Sequence, residues 1–310
     1  MRILYYCEND DDDEILTALK TRLPNHDLQA WPQRNNPSTI TAAIVFQPPV
    51  DFFEELTSLS HVLSIAAGVD HLLDHPRLPA SVEIVRLVDA GMAEPMSDYV
   101  LYGVLYAQRR MQEIGAAQAL ARWNHNLKPR AKKQLTIGIL GAGELGTTVA
   151  NRLQSNGYSV GCWSRTEKPQ SDIKQFSGAS GLDRLVANSQ VLVCLLPLTE
   201  STTHIINAEL MAKLPTGAFI INAGRGGHVD SAALLHMLDK NHLSGALLDV
   251  FDTEPLPATD PLWQHEKIVV TPHVAAPTDI AGAVEQIGEN VELIERNEQP
   301  SGLVDRRAGY

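Results

Sequence analysis

Apolar runs rich in β-type residues alternate with stretches of helical spacing from one end of the chain to the other. This alternation is typical of α/β folds, in which helices connect parallel strands and cover the sheet. The candidate strands are, in order, RILYYC, LQAW, AAIVFQ, HVLSIAA and VEIVRLV, followed by LTIGIL, YSVGCW, QVLVCLL, AFIINA, GALLDV and KIVVTP. Between these two series, residues from about Ser97 to Ala121 have helical spacing and no strand signal. The sequence therefore predicts an α/β protein with two parallel sheets.

A chain of 310 residues is long for one hydrophobic core, and the two series of strands predict two domains. Six strands after residue 130 complete a doubly wound sheet, so we expect the helical segment from about Asp279 to Asn297 and the tail to cross back to the first domain. The predicted domains are a flavodoxin-like substrate-binding domain of residues 1–96 and 277–310 and a Rossmann-like dinucleotide-binding domain of residues 97–276. We expect the active site in the cleft between them.

The composition limits the partners of the protein. Its formal net charge of −12 argues against nucleic acid and anionic membranes. No apolar run reaches the roughly 18 residues of a membrane span, and the N-terminus MRILYYCEND reads as a strand rather than as a signal peptide. We therefore expect a cytoplasmic protein that acts on small molecules and has no membrane partner.

Neither the cysteines nor the acidic residues form a metal-binding pattern. Cys7, Cys162 and Cys194 lie far apart in strand-like runs, which favours buried packing over a disulfide framework or a metal site. The acidic stretch from Glu8 to Glu14 lacks the glycine and the spaced ligands of a calcium loop. Acidic residues favour helix N-termini, so this stretch predicts the start of a helix, and no metal is expected.

The first strand of the second series runs into GAGELG, which has the spacing G-x-G-x-x-G. Gly141, Gly143 and Gly146 suit, in turn, a tight turn, close approach of the backbone to a pyrophosphate, and close packing of helix on strand. The next segment has helical spacing, so its N-terminus, with Glu144 and Leu145, would hold the phosphates. In this strand–turn–helix context the motif predicts dinucleotide binding.

The end of the next strand selects among dinucleotides. An acidic residue there would bind the ribose 2′-hydroxyl of NAD(H) and repel a 2′-phosphate, but this chain has Ser164, Arg165 and Thr166, with Lys168 nearby. Hydroxyl groups and positive charge suit a phosphate monoester. The stretch therefore predicts a preference for NADP(H), with NAD(H) as the alternative cofactor. The competing interpretation is an ordinary polar turn.

Polar side chains of the remaining strands fall at the carboxyl ends, which line one crevice in a doubly wound sheet. They include Arg225, Asp249, Glu254 and His273. A carboxylate beside the imidazole of His273 would fix its tautomer and favour its protonated form as a general acid near neutral pH, and Glu254 is the natural candidate. Arg225 offers a planar fork suited to a carboxylate substrate. From spacing alone, purely structural roles for these residues stay open.

In their order and spacing, GAGELG, LLPLTESTTHIIN, INAGRGGHVD, GALLDVFDTEPLP and TPHVAAPT resemble the motifs of the D-isomer-specific 2-hydroxyacid dehydrogenases. The match covers nearly the whole chain. AAGVDHL, near residue 68, resembles the loop of that family that binds the substrate carboxylate, although Ala66 stands where family members often have glycine. The segments VFQPPV, CWSRT, PLWQH and VDRRAGY resemble the glyoxylate/hydroxypyruvate reductase branch.

The resemblance implies reduction of a small 2-oxo acid, glyoxylate or hydroxypyruvate, to glycolate or D-glycerate by hydride transfer, preferentially from NADPH. It implies that His273 donates a proton to the carbonyl oxygen, that Glu254 holds the imidazole, and that Arg225 binds the substrate. Backbone N–H groups around Ala67 and Gly68 would help to bind the carboxylate. Leu196, Ala223 and Asp249 match family positions that contact the nicotinamide half of the cofactor, and Pro197 is a further candidate for the cofactor site.

Two further expectations concern the substrate and the assembly. Phe46, Met92 and Trp263 are candidates for an apolar wall that limits substrate size, although as bare residues they suit core packing better. The helical segment after Ser97 matches the dimer contact of the family, so the resemblance implies a homodimer. Without the resemblance, this segment would be predicted to pack over one side of its own domain.

Two alternatives stay open at the level of the sequence. A related family member would act on another substrate, such as phosphoglycerate or formate, although the tail matches the glyoxylate branch better. A nucleotide-sensing binding protein on the same scaffold, as with corepressors that resemble this family, would keep the three residues Arg225, Glu254 and His273 without turnover. Assays of turnover distinguish these alternatives from the 2-oxo acid reductase.

Overall fold

The computed structural model describes residues 1–8, 12–169 and 172–310, so residues 9–11 of the acidic stretch lie outside the described part of the chain. Contacts divide the chain into two compact units. Unit 1 contains Met1–Gly91 and Thr278–Tyr310, and unit 2 contains Met92–Pro277. Unit 2 begins at Met92, ahead of the expected residue 97, and so includes all of the helix Ala93–Arg109, which packs against the helix Glu144–Ser155.

The described strands form two parallel sheets, one in each unit, which confirms the predicted α/β class. In chain order the strands are β1 Arg2–Cys7, β2 Asp27–Ala30, β3 Ala42–Phe46, β4 His61–Ser64, β5 Glu83–Val85, β6 Thr136–Leu140, β7 Ser159–Ser164, β8 Lys174–Ser177, β9 Val191–Cys194, β10 Ala218–Asn222, β11 Leu243–Leu248 and β12 Ile268–Val270. The α-helices are α1 Asp12–Arg22, α2 Asp70–Leu73, α3 Ala93–Arg109, α4 Met111–Ala119, α5 Glu144–Ser155, α6 Gly178–Val186, α7 Ala208–Lys213, α8 Ser231–Asp239 and α9 Ile280–Glu295.

The sheet of unit 1 has the order β2-β1-β3-β4-β5, and all neighbouring strands are parallel. Its central strands are apolar and buried; in β3, only the last residue is partly exposed. The last helix of the chain, α9, packs against α1 of this unit, where Arg22 forms ion pairs with Glu285 at 3.0 Å and Glu292 at 2.7 Å. The carboxylate of Asp279 caps the N-terminus of α9.

The sheet of unit 2 has the order β12-β11-β10-β9-β6-β7-β8 and is also parallel. The strand order reverses at β6, which pairs with β7 on one side and β9 on the other. Leu140, at the end of β6, therefore lies between Trp163 and Cys194. In doubly wound sheets, ligands bind beyond the carboxyl ends of the strands at such a point.

One strand of unit 2 is absent from the sequence-based prediction. Six strands were expected after residue 130, and the sheet has a seventh, β8, at its edge. Its residues KQFS are exposed or only partly buried, and it pairs with β7 alone. Main-chain hydrogen bonds to one neighbouring strand hold this short polar segment in place. Because it buries no apolar face, its sequence has no apolar alternation from which a strand could be predicted.

The helical segment expected from about Ser97 to Ala121 is two helices rather than one. The break is at Arg110, whose φ of 58° is in the left-handed region. Helix α3 buries Met96, Val100 and Val104 in the core of unit 2. In α4, by contrast, none of the residues, all of which the structure describes, is buried. No helix in the described ranges is both long and apolar enough to cross a membrane.

Candidate active site

Each glycine of the turn after β6 meets a different steric condition. Gly141 has a φ of +115°, a backbone conformation in which a side chain is strained. A Cβ on Gly146 would lie 2.0 Å from the carbonyl oxygen of Gly141, so α5 can approach the turn only with glycine here. Gly143 has open space around its Cβ position, and no side chain caps α5. The turn therefore exposes the N-terminus of α5, with Glu144 and Leu145, and fits a pyrophosphate.

The end of β7 forms a polar turn. The side chain of Ser164 is buried, and its hydroxyl donates to the carbonyl oxygen of Thr166 at 2.7 Å. Its hydroxyl hydrogen is thus used within the turn, whereas the sequence suggested a donor for a phosphate. The side chains of Arg165, Thr166 and Lys168 are exposed. In this arrangement Ser164 shapes the turn, and the exposed side chains are those of Arg165, Thr166, Glu167 and Lys168.

His273 and Glu254 are joined by a side-chain hydrogen bond in the loops that follow β12 and β11. Nδ1 of His273 lies 2.7 Å from Oε2 of Glu254, and Oε1 of Glu254 accepts the N–H of Phe251 at 2.8 Å. Burial alone would raise the pKa of Glu254, but hydrogen bonds from His273 and Phe251, with the charges of His273 and Arg225, lower it below its ordinary value. The ionised carboxylate holds a hydrogen on Nδ1, so Nε2 is the ring atom that can exchange a proton.

The backbone at His273 has a φ of 54°, an uncommon value for a residue with a side chain, and a buried aspartate holds it there. The carboxylate of Asp249 accepts the N–H groups of Val274 and Ala275, both at 2.9 Å, and the hydroxyl of Thr271 at 2.6 Å. Its carbonyl oxygen accepts the N–H of His273 at 2.8 Å. The resemblance to the family predicts a cofactor contact for Asp249. The structure gives it a second role, as the anchor of the loop that carries His273.

Tyr99 of α3 extends this network. Its hydroxyl lies 2.6 Å from Oγ1 of Thr271. Because Thr271 donates to the carboxylate of Asp249, the hydroxyl of Tyr99 is the donor to Thr271. Burial raises the pKa of Tyr99, which keeps its proton in place for this bond. The sequence offers no signal for this contact, since Tyr99 lies within a helix of ordinary amphipathic spacing.

Arg225 follows β10 and is partly buried. The amide of Asn222 donates to its carbonyl oxygen at 2.9 Å, and Oδ1 of Asn222 accepts the N–H of Gly224 at 3.2 Å. Nη1 of Arg225 donates to the carbonyl oxygen of Gly224 at 2.9 Å. Its charge contributes to the lowered pKa of Glu254. Arg225, Glu254 and His273, which the sequence analysis selects as catalytic, therefore lie close enough in unit 2 to interact electrostatically.

The remaining cofactor-site candidates of unit 2 lie just beyond neighbouring strands. Leu196 is partly buried and Pro197 is exposed after β9, and Ala223 is buried after β10. The N–H of Ala223 donates to the carbonyl oxygen of Cys194 at 3.2 Å, so the two strands end side by side. These strands end on the same side of the sheet as β6, the carboxyl side, where the glycine turn lies.

Three of the substrate-site candidates belong to unit 1, where they lie at or after the ends of the adjacent strands β3 and β4. Phe46 ends β3 and is partly exposed. Ala67 and Gly68 are partly exposed in the loop between β4 and α2. The hydroxyl of Ser64 accepts the N–H of Ala66 at 3.1 Å, which holds the start of this loop.

The other two candidates for the apolar wall, in unit 2, differ in exposure. Met92, before α3, has a buried side chain. Trp263 is 48% exposed, and its Nε1 donates to the carbonyl oxygen of Pro257 at 3.1 Å, which fixes the indole while leaving a face open. Of these two residues, only Trp263 has an exposed side chain that a substrate could contact.

The three cysteines are buried thiols, which confirms the packing role predicted for them. Burial raises the pKa of Cys162 and of Cys194 to about 12. No cluster of three or more His, Cys, Asp or Glu side chains within the described ranges is arranged to hold a metal ion.

Comparison with known proteins gives matches along the whole chain. The family model described as D-isomer specific 2-hydroxyacid dehydrogenase, NAD binding domain, matches residues 101–275. Glyoxylate/hydroxypyruvate reductase A of Serratia proteamaculans (strain 568) is 39% identical over 100% of both chains.

Two solved structures resemble this chain over nearly their entire length. A D-isomer specific 2-hydroxyacid dehydrogenase from Xanthobacter autotrophicus Py2, in complex with NADPH and MES, has a TM-score of 0.94 and 36% identity over 100% of this chain and 99% of that one. An NADPH-dependent glyoxylate/hydroxypyruvate reductase from Sinorhizobium meliloti, in complex with NADP and sulfate, has a TM-score of 0.93 and 33% identity over 100% of this chain and 99% of that one.

Proposed function

The chain belongs to the D-isomer specific 2-hydroxyacid dehydrogenase family, and from that premise we propose that it is an NADPH-preferring reductase of small 2-oxo acids. The proposed reactions convert glyoxylate to glycolate and hydroxypyruvate to D-glycerate. The relative from S. proteamaculans is named for this activity, and its 39% identity over the full length of both chains supports the proposal.

The observation that carries the proposal is the His273–Glu254 pair, joined at 2.7 Å, with the charge of Arg225 beside it. A 2-oxo acid brings a carboxylate next to the carbonyl group that is reduced. Its reduction therefore needs a cation for the carboxylate and a proton donor for the carbonyl oxygen. Arg225 and His273 supply these two groups.

In the proposed reaction, His273 donates a proton from Nε2 to the carbonyl oxygen of the substrate. Glu254 accepts the hydrogen bond from Nδ1 and stabilises the protonated ring before the transfer. Because the pKa of Glu254 is lowered, its carboxylate stays ionised at neutral pH. The hydrogen bonds to Asp249 fix the loop that carries His273 before substrate binds. The loop therefore loses little further conformational freedom in the reaction step.

NADPH, when bound, supplies the hydride. The open space at Gly143 and the uncapped start of α5 support a pyrophosphate there, and the exposed Arg165 supports a 2′-phosphate. The solved relatives from X. autotrophicus and S. meliloti contain NADPH and NADP. The residues proposed to hold the cofactor are Gly141, Gly143, Glu144, Leu145, Gly146, Ser164, Arg165, Thr166, Leu196, Pro197, Ala223 and Asp249. NADH is proposed as the weaker alternative.

The substrate carboxylate is proposed to bind Arg225 and the backbone N–H groups around Ala67 and Gly68. Partly exposed positions of this loop support the proposal. Phe46 and Trp263 keep exposed ring surface and are proposed to limit substrate size, whereas Met92 would act from a buried position.

We propose a homodimer formed through the surface of α3 and α4 and the segment that follows. Exposed apolar side chains are concentrated there, and Trp123 is 94% exposed. They are Tyr102, Leu105, Met111, Leu120 and Trp123. Apolar groups on this scale are typical of an interaction site. Sedimentation of Leu120→Ser/Trp123→Ser should give a monomer, whereas Tyr310→Ser, a change at an exposed residue elsewhere, should not. A dimeric double variant would contradict the proposed interface.

We place the protein in the cytoplasm, where a reducing environment suits three buried thiols. Nucleic acid is not a proposed partner, because the net charge of −12 would repel it. Fluorescence of a full-chain fusion in cells tests the location, and a signal outside the cytoplasm would contradict it.

The function is tested by following NADPH consumption with glyoxylate, hydroxypyruvate, pyruvate, 2-oxoglutarate and phosphohydroxypyruvate. We expect the highest kcat/KM for glyoxylate or hydroxypyruvate, and D-glycerate as the product from the latter. A higher kcat/KM for phosphohydroxypyruvate would indicate the related phosphoglycerate enzymes. Binding of NADPH without turnover of any of these acids would indicate a nucleotide-sensing protein.

A further inference from the structure

His228 is completely buried between two segments of the proposed site. It ends a short 3-10 turn, Gly226–His228, that directly follows Arg225. Nδ1 of His228 accepts the backbone N–H of Arg225 at 3.0 Å. Nε2 lies 3.2 Å from the carbonyl oxygen of Pro197, beyond β9. One imidazole thus connects the backbone of the proposed substrate-binding arginine to a segment proposed to contact the cofactor.

These two contacts fix the hydrogens of the ring. A backbone N–H can only donate, so Nδ1 is unprotonated, and a carbonyl oxygen can only accept, so Nε2 carries the hydrogen. His228 is therefore the neutral Nε2–H tautomer. This ring is an acceptor and a donor on opposite sides of one rigid plane, which the flexible amides of asparagine and glutamine cannot reproduce together.

Packing leaves the ring little freedom. A Cβ on Gly224 would lie 3.1 Å from Cε1 and Nδ1 of His228 and 3.1 Å from the carbonyl oxygen of Leu196. The main chain is also fixed, because the carbonyl oxygen of His228 accepts the N–H of Ile206 at 2.9 Å. A displacement of Arg225 relative to Pro197 would therefore break a hydrogen bond to a completely buried imidazole ring.

We propose that His228 is a positioning residue, which sets the backbone of Arg225 relative to the Leu196–Pro197 segment. The inference rests on the proposed function and deepens it. Arg225 orients the 2-oxo acid, so a change in its position misaligns the carbonyl group even when the cofactor segment is intact. Misplacement by about 1 Å can cost about 100-fold in rate.

Three substitutions of His228 test the contributions of its two hydrogen bonds separately. His228→Asn places an amide oxygen near the position of Nδ1 and keeps an acceptor for Arg225. His228→Gln places an amide nitrogen near the position of Nε2 and keeps only a donor for Pro197. His228→Leu removes both. His242 provides the control, because its Nε2 contacts the carbonyl oxygen of Met211 at 2.9 Å, just before β11 at the amino edge of the sheet.

We expect His228→Gln and His228→Leu to raise KM for glyoxylate by about tenfold or more and to lower kcat, because the backbone N–H of Arg225 loses its acceptor. His228→Asn, which loses only the hydrogen bond to Pro197, should change both constants less than His228→Gln and His228→Leu do. KM for NADPH should change by less than about threefold in all three variants. His242→Asn and His242→Gln should leave the kinetic constants unchanged.

Wild-type kinetics for His228→Gln would overturn the proposal. So would equal increases of KM for NADPH and glyoxylate, or a loss of activity that only follows a fall in Tm shared with the His242 variants. A second readout does not depend on activity. Long-range ¹H–¹⁵N correlation spectra should show His228, assigned by its absence in His228→Asn, unprotonated at Nδ1 and protonated at Nε2, and the opposite tautomer would contradict the proposal.

The wild-type assay separates the two hypotheses. Absence of turnover with every 2-oxo acid would contradict the proposed function, and the tautomer and the binding of NADPH would then still test the packing of His228. Normal wild-type turnover with an unaffected His228→Gln variant would contradict only the positioning role.

Discussion

The carbonyl oxygen of Asp249 accepts the backbone N–H of His273 at 2.8 Å, while its buried carboxylate binds the two following N–H groups. A residue at the end of β11 therefore determines the unusual backbone conformation of the proposed general acid. The proposed proton donor is therefore held by hydrogen bonds to a residue that directly follows a strand of the sheet. Because the loop is fixed in advance, less conformational entropy is lost when the transition state forms.

Removing the hydroxyl of Tyr99 should weaken this anchor. Tyr99→Phe leaves the ring in place and removes the hydrogen bond to Thr271, so we expect kcat/KM to fall about threefold to tenfold and stability to fall by about 1 kcal/mol. Steady-state kinetics and urea unfolding measure the two effects. Tyr106→Phe, on the same helix, is the matched control and should behave as the wild type. Unchanged kinetics for Tyr99→Phe would show that the anchor does not need α3.

Replacing Glu254 by glutamine should lower kcat/KM by about 100- to 10,000-fold. The carboxylate accepts hydrogen bonds at both oxygens, from His273 and Phe251, and an amide has only one oxygen to offer. The neutral amide also stabilises a protonated imidazole less. Kinetics at saturating NADPH measure the effect, and a variant within tenfold of the wild type would contradict the role of Glu254.

The same replacement has a pH-dependent effect on stability. The pKa of Glu254 in the folded protein is lower than its ordinary value of 4.5, so the ionised carboxylate stabilises the folded state above that pH. This contribution is lost as the pH falls through the lowered pKa. The difference in the free energy of unfolding between the wild type and Glu254→Gln should therefore shrink on acidification below 4.5. A difference that grows in this range would mean that the pKa is raised.

Arg165→Ala should raise KM for NADPH by roughly 10- to 100-fold and leave KM for NADH within about twofold, because only NADPH has the 2′-phosphate. Kinetics with glyoxylate and each cofactor measure the two constants. Arg184→Ala removes the same charge from the exposed surface of α6 and should change neither. Equal effects of Arg165→Ala on both cofactors would assign this arginine to the turn rather than to the phosphate.

The thiols should not react with an aromatic disulfide reagent in the native protein. All three are buried, and burial raises the pKa of Cys162 and Cys194 to about 12, so almost no thiolate is present at neutral pH. Absorbance after addition of the reagent should stay flat until denaturant releases three equivalents. Rapid reaction of the native protein would show that one of these strands opens readily.

The sequence predicts best those features that local patterns encode. The glycine turn can be read directly, because Gly141 and Gly146 each meet a steric condition that only glycine satisfies. The edge strand β8 cannot be read in this way, since KQFS has no apolar period and depends on one neighbour. The break at Arg110 is equally hidden, because a single left-handed residue interrupts an otherwise helical pattern.

Within the site, the sequence identifies chemical groups more readily than the contacts that hold them. Arg225, Glu254 and His273 are candidates by their residue types near the ends of strands, and the family motifs then single them out. The anchoring role of Asp249 depends on how a later loop folds back onto its carboxylate, which no local pattern records. His228 is hidden for a similar reason, because Pro197, one of its two partners, lies 31 residues away in sequence.

The most direct test of the central claim is the rate of NADPH consumption with glyoxylate and hydroxypyruvate for the wild type and for Arg225→Ala, each shown to be folded by circular dichroism. The proposed function predicts rapid turnover by the wild type, a higher kcat/KM with NADPH than with NADH, and a loss of at least about 100-fold in Arg225→Ala. Wild-type turnover no faster than that of Arg225→Ala would contradict the reductase activity itself.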